Sequence, residues 1–156
     1  MCADRPIIAA EVPPRAKVTS LPEPFAARAV GRAKRPLGDL FGLKSFGVNL
    51  TTLAPGAISA LFHTHTVQDE FVYIVYGTPL LRWGEDEHRL GPGMAVGFPA
   101  GGAAHHLVND SEAEVVYLEV GDRVPGDRGV YPEDDLAARQ TQEGAWIFTH
   151  KDGTPY

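Results

Sequence analysis

His63-Thr64-His65 is the stretch of the chain best equipped for chemistry. Imidazoles at i and i+2 share one face of a strand, so both rings reach toward a single point. Glu70 follows shortly after. Simple alternation would turn it to the opposite face, but the polar stretch Thr66-Val67-Gln68-Asp69 can bend and reset the register, opening the next strand with Glu70 beside the pair. His105, after the turn Pro99-Ala100-Gly101-Gly102, opens a later strand and is the expected fourth donor. Three neutral imidazoles and one carboxylate leave a divalent ion with a single net positive charge, a donor set suited to iron, manganese, nickel or zinc. Four protein donors leave octahedral positions open for water or substrate, which separates a working site from a closed structural one. His106 rivals His105, because adjacent strand residues face opposite ways and only one can point inward. Asp69 rivals Glu70 for the same reason of register.

These donors need strands to hold them. Short apolar stretches recur at Val48–Leu53, Ala57–His63, Glu70–Tyr76, Leu80–Trp83, Met94–Phe98, His105–Val108 and Glu114–Val120, separated by glycine, proline and asparagine turns. Strands at this spacing predict an all-β antiparallel sandwich or barrel. The spacing divides the chain into an irregular arm over 1–46, with a short helix around Phe25 to Lys34, a barrel over 47–120, and a loop, short helix and final strand over 121–156. The arm cannot build its own core and is expected to pack on the barrel or on a partner subunit. Phe71-Val72-Tyr73-Ile74-Val75-Tyr76 is apolar at every position, so both faces of that strand need cover. A homodimer is expected on this ground, with Phe71 and Tyr73 facing outward.

Alternation then lines the pocket. Ser59 and Leu61 should point inward with His63 and His65; Val72, Ile74 and Tyr76 with Glu70; and Leu107 with His105. The result is a largely apolar cavity around the ion. His88 and His150 lie in polar surroundings and read as surface groups, while Trp83 and Trp146 read as packing residues. The Asp-Arg pairs at Asp122-Arg123 and Asp127-Arg128 read as surface ion pairs.

Composition narrows the function class. The 156 residues carry a formal net charge of −6, which gives nucleic-acid binding little electrostatic support. The basic cluster Arg28, Arg32, Lys34 and Arg35 has no aromatic stacking partners and reads as a solvated face. One cysteine, Cys2, excludes an internal disulfide and a thiolate cluster. No apolar run reaches the roughly 18 residues of a membrane span, and the first residues lack the apolar core of a signal peptide. A cytoplasmic protein with a small-molecule ligand is the expectation.

Gly56…His63-x-His65-x4-Glu70-x6-Gly77 resembles the first motif of the cupins, and Gly93-x5-Pro99-x-Gly101-x3-His105-x3-Asn109 resembles the second. Each motif carries one residue more than the family pattern, between Gly56 and His63 and between Gly101 and His105. The chain is similar to small bacterial single-domain cupins over about Val48–Val120. The resemblance implies a double-stranded β-helix (jelly-roll) barrel, usually dimeric, with a metal bound at the positions of His63, His65, Glu70 and His105. His105 keeps the family's spacing to Asn109 and is favoured over His106. Dioxygenase-type or Lewis-acid chemistry, isomerase or epimerase activity on sugars, non-catalytic binding of a small molecule, and a purely structural metal all remain open, since one fold hosts many chemistries. An isomerase needs an acid–base pair near the metal. The sequence offers no such pair at an inferable pocket position, which favours oxygen or Lewis-acid chemistry.

Overall fold

Residues 2–156 are described by a computed structural model. Their twelve strands pair antiparallel throughout. A five-stranded sheet has the order β1 (Arg32–Arg35), β2 (Phe46–Leu53), β9 (Val115–Asp122), β4 (Glu70–Tyr76), β7 (Ala95–Phe98). A four-stranded sheet runs β12 (Trp146–Thr149), β11 (Ala137–Gln140), β10 (Arg128–Val130), β3 (Thr64–His65), and a three-stranded one β6 (Asp86–Arg89), β5 (Leu80–Trp83), β8 (His105–Val108). Helix is confined to one α-helical turn, α1 (Leu37–Leu40), and 3₁₀ turns at Ala9–Glu11 and Phe25–Ala29. Among the described residues no helix is long and apolar enough to cross a membrane.

The sheets close on two apolar cores. Leu53, Val72, Ile74, Leu81, Leu107 and Val115 anchor the first, which joins the five-stranded sheet to the three-stranded one. Phe25, Leu61, Tyr131, Leu136 and Ala138 form the second, beneath the four-stranded sheet. Burying each large aliphatic side chain contributes about 1.5–3 kcal/mol. This is the all-β antiparallel barrel that the strand rhythm predicts, and the jelly roll that the cupin resemblance implies.

Several local expectations are corrected. Ala57–His63 is not a continuous strand. Only the isolated bridges Ile58↔Val108 and His63↔His105 survive, because between them the Leu107 N–H donates to the Ser59 hydroxyl at 2.9 Å instead of to backbone. The helix expected around Phe25 to Lys34 is a 3₁₀ turn followed by β1. The helix expected near the C-terminus is replaced by β10 and β11, which carry the chain back onto β3. β6 escapes a reading by apolar pattern because Asp86, Glu87, His88 and Arg89 are all polar and exposed, a charged edge strand that discourages further pairing.

The pocket reading is corrected at two positions. β4 pairs with β9 in register as far as Ile74↔Tyr117, then shifts so that Tyr76 faces Val116. This bulge spends one extra residue and flips the alternation. Tyr76 therefore points outward and is 58% exposed. Ile74, fully buried, belongs to the apolar core and does not line the cavity.

Gly77, directly after the bulge, has φ +82, and a Cβ there would lie 2.6 Å from the Glu114 carbonyl oxygen and 2.9 Å from Val115 Cα. Gly93 has a similar φ of +86 with nothing within 4 Å. Gly77→Ala is expected to cost about 2–4 kcal/mol, against about 1–2 for Gly93→Ala. Urea unfolding of both variants checks this, and equal losses would refute the steric account.

Candidate metal centre

Three sheets meet at one point on the barrel's inner wall. His65 ends β3 in the four-stranded sheet, Glu70 begins β4 in the five-stranded sheet, and His105 begins β8 in the three-stranded sheet. His63, bridged to His105 by reciprocal backbone hydrogen bonds of 3.3 and 2.8 Å, stands beside them. The bend required of residues 66–69 is present, and two carboxylates hold it, the buried Asp127 and the half-buried Asp122. Asp127 Oδ1 accepts from the Val67 and Gln68 N–H groups at 2.9 and 3.3 Å, and Asp122 Oδ2 accepts from the Asp69 N–H at 2.8 Å.

The four side chains converge. His105 Nε2 lies 2.9 Å from Glu70 Oε2, His65 Nε2 3.6 Å and His63 Nε2 3.7 Å from the same oxygen. The two Nε2 atoms of His63 and His65 are 3.2 Å apart. Ligand atoms of His63, Glu70 and His105 all fall within 4.8 Å of one another. Each opposite ring nitrogen faces an acceptor: His63 Nδ1 the Leu61 carbonyl at 2.7 Å, His65 Nδ1 the Asp127 carboxylate at 2.5 Å, and His105 Nδ1 the Ala103 carbonyl at 3.3 Å. An acceptor at Nδ1 draws the ring proton there and leaves the Nε2 lone pair free. Three lone pairs and a carboxylate then face one centre, and a divalent cation is the partner that such a donor set fits.

The protonation states agree. Burial lowers the His63 pKa to about 4, against the raising effect of Glu70, so the ring is neutral near pH 7. Burial alone would raise Glu70, but a hydrogen bond from His105, whose Nε2 proton a bound cation would displace, and the neighbouring imidazoles outweigh it and hold the carboxyl at about 2. Aromatic rings fix the imidazoles in place: Phe98 stacks on His105 at 3.6 Å, Tyr131 on His63 at 5.9 Å, and Trp146 meets His65 edge-on at 6.1 Å.

Neither rival donor joins the cluster. His106 faces away, its Nδ1 2.9 Å from the Ala60 carbonyl and its ring edge-on to Phe62. The extra residue before His105 is absorbed in the Gly101–Gly102 turn, which docks on β3 through a 2.7 Å bond from the Gly101 N–H to the His65 carbonyl. Asp69 instead accepts the Ala100 N–H at 2.8 Å. Ser59, Leu61, Val72 and Leu107 line the adjoining cavity of about 430 Å³. His88 and His150 stay outside, His88 exposed on β6 and His150 paired with Asp135 at 2.7 Å.

Asp127 is the residue that sequence reasoning missed. It is not a surface partner of Arg128 but is fully buried, and β10 places it by pairing Gly129 with His65. Its separation from His65, 62 positions, leaves no local signal. Asp127→Asn is expected to weaken metal affinity about 10–100-fold. His105→Ala should abolish binding, whereas His106→Ala should preserve it. Chelator competition on the three variants checks this, and equal affinity in the His105 and His106 variants would overturn the donor assignment.

The cupin domain family matches residues 49–121. No protein with a curated description matches the chain. Among solved structures, a sugar phosphate isomerase of the cupin superfamily from Silicibacter pomeroyi is 40% identical over 88% of this chain and 88% of its own, with a TM-score of 0.83. A candidate sugar phosphate isomerase from Acidithiobacillus ferrooxidans is 31% identical over 80% of each chain, with a TM-score of 0.73. A polyketide cyclase from Streptomyces resistomycificus, 20% identical over 76% of this chain and 78% of its own at a TM-score of 0.62, shares the fold. With both motif halves folded onto one wall and a relative this similar along most of its length, the chain belongs to the cupin superfamily.

Proposed function

We propose that this protein is a metal-dependent isomerase of a small phosphorylated sugar, with one divalent ion held by His63, His65, Glu70 and His105. The observation that carries the reading is a proton-transfer couple in the same cavity. Lys34 Nζ lies 2.6 Å from Glu119 Oε1, and the Asn49 side-chain amide donates to that oxygen at 3.0 Å. Glu119 sits opposite Val72, while Glu70 sits opposite Gly121, which makes the two carboxylates diagonal neighbours on the inner face, about 7–8 Å apart at the backbone. Sequence reasoning favours oxygen or Lewis-acid chemistry because it finds no such couple. Lys34 comes from the stretch expected to be an arm and reaches the cavity only because β1 extends the five-stranded sheet.

A divalent ion bound there would polarise a carbonyl or hydroxyl oxygen of the substrate. Glu119 Oε2, which has no protein partner among the described residues, is free to take the proton from the carbon beside the carbonyl and return it to the former carbonyl carbon. The hydroxyl proton passes to the carbonyl oxygen, so the carbonyl moves one carbon along and no co-reactant is consumed. Lys34 and Asn49 hold the carboxylate and leave one lobe for the substrate. Tyr117, on the same strand face as Glu119, has its hydroxyl pushed well above the usual range by burial and stays neutral. Two of the relatives above, described as sugar phosphate isomerases, support the substrate class.

A homodimer also belongs to this reading. Phe71, Tyr73 and Val75 are 41–48% exposed along the outer face of β4, an apolar stripe that a second copy would cover. Tyr73→Lys should then yield a monomer by light scattering, and a monomeric parent chain would dismiss the dimer.

Metal-loaded protein is expected to interconvert aldose and ketose phosphates and to exchange solvent deuterium into the substrate. Glu119→Gln should slow both at least ~100-fold while elemental analysis finds metal content unchanged. Exchange at the parent rate in this variant, or no turnover by the loaded parent across a panel of such phosphates, would sink the proposal.

A further inference from the structure

Beside the main cavity lies a smaller pocket of about 150 Å³. Arg15, Lys17, Arg32 and Lys34 line it with Thr19 and Ser20, and no acidic residue does. Four cations around one small hollow are conspicuous in a chain of net charge −6. Arg15, Thr19, Ser20, Arg32 and Lys34 also line the main cavity, so the hollow is a side chamber of the same space.

The chamber is built, not a chance gathering of flexible side chains. Arg32 and Lys34 alternate inward from β1, while residues 15–20 cross in front of them. The Arg15 N–H donates to the Lys34 carbonyl at 2.8 Å, and the Arg32 guanidinium donates to the Val18 carbonyl at 2.8 Å and to the Ser59 carbonyl. Arg32 Nε is buried with no partner, a donor left without an acceptor. Arg15 uses one N–H on Asp39 at 2.9 Å and Lys34 one on Glu119, so both keep donors in reserve. Lys17 makes no hydrogen bond or ion pair among the described residues. Forked guanidinium groups, ammonium groups and hydroxyls around a hollow of this size suit a tetrahedral dianion, which accepts charge-assisted bonds from several directions.

We propose that this chamber is a phosphate subsite, holding the phosphate end of the substrate while its carbonyl end lies at the metal centre. The inference rests on the sugar-phosphate reading for its substrate and adds the place and residues of recognition. β1 and β4 are three strand spacings apart, roughly 14 Å along the sheet, and the inward reach of Lys34 and Arg32 on one side and Glu70 on the other narrows that gap. Glu119 stands between the two ends, where the carbon skeleton must pass.

Titration calorimetry of the metal-loaded protein with inorganic phosphate tests the proposal. The double variant Arg15→Gln/Lys17→Ala changes two exposed side chains and should preserve melting temperature and metal content. Phosphate affinity in it is expected to fall about tenfold or more, the loss of charge-assisted bonds, whereas Arg89→Gln on the distant edge strand should leave affinity at the parent value. Equal phosphate affinity in the double variant and the parent, or no binding by the parent at millimolar phosphate, would overturn the subsite. The two ideas fail separately. Chamber-dependent phosphate binding without isomerisation sinks only the activity, while isomerisation with an unaltered KM in the double variant sinks only the subsite.

Discussion

Three imidazole lone pairs and a carboxylate aimed at one centre repel one another unless something positive joins them. His63 and His65 present their Nε2 atoms 3.2 Å apart, with Glu70 beside both, and the wall behind them supplies acceptors that keep the ring protons on the far side. The rest of the chain makes this crowding possible. Closing three sheets brings β3, β4 and β8 to a common corner, and apolar burial provides the free energy to hold them there. A cation that binds the folded form but not the unfolded chain would relieve the repulsion and add to stability by mass action.

The C-terminal strands belong to the same logic. β10 and β11 present no helix to solvent but return to β3, and the fully buried Asp127 closes the connection. A single carboxylate orients the His65 ring and caps the bend that turns Glu70 inward. Losing it would loosen two ligands at once, an economy common behind metal-bound histidines.

The N-terminal stretch has the corresponding role at the opposite side of the cavity. β1 extends the five-stranded sheet by pairing with β2, and the segment before it crosses the inner face of that extension. Charge is distributed accordingly. Acceptors cluster at the His–Glu corner, cations at the chamber, and the Lys34–Glu119 pair lies between them. The phosphorylated sugar proposed above, with an oxyanion at one end and a carbonyl at the other, would match this polarity.

The all-β class, most strand positions and the meeting of His63, Glu70 and His105 were legible from the chain, because alternation and turn chemistry act over a few residues. The His-x-His pair and the strand opened by Glu70 needed only the period of a strand and one bend. The choice of His105 over His106 came from spacing and family resemblance, and the structure brings His105 to Glu70. Only the tertiary structure decided the rest. The bulge that turns Tyr76 outward depends on a register slip against β9, and no local pattern encodes a partner's register. Asp127 meets His65 across 62 positions and Lys34 meets Glu119 across two intervening strand pairings, so both contacts exist only after sheet closure. β6 and β1 are polar strands recruited by neighbours and not by their own apolar pattern. Short-range periodicity reports which way a side chain faces, whereas closure of the sheets decides what it meets.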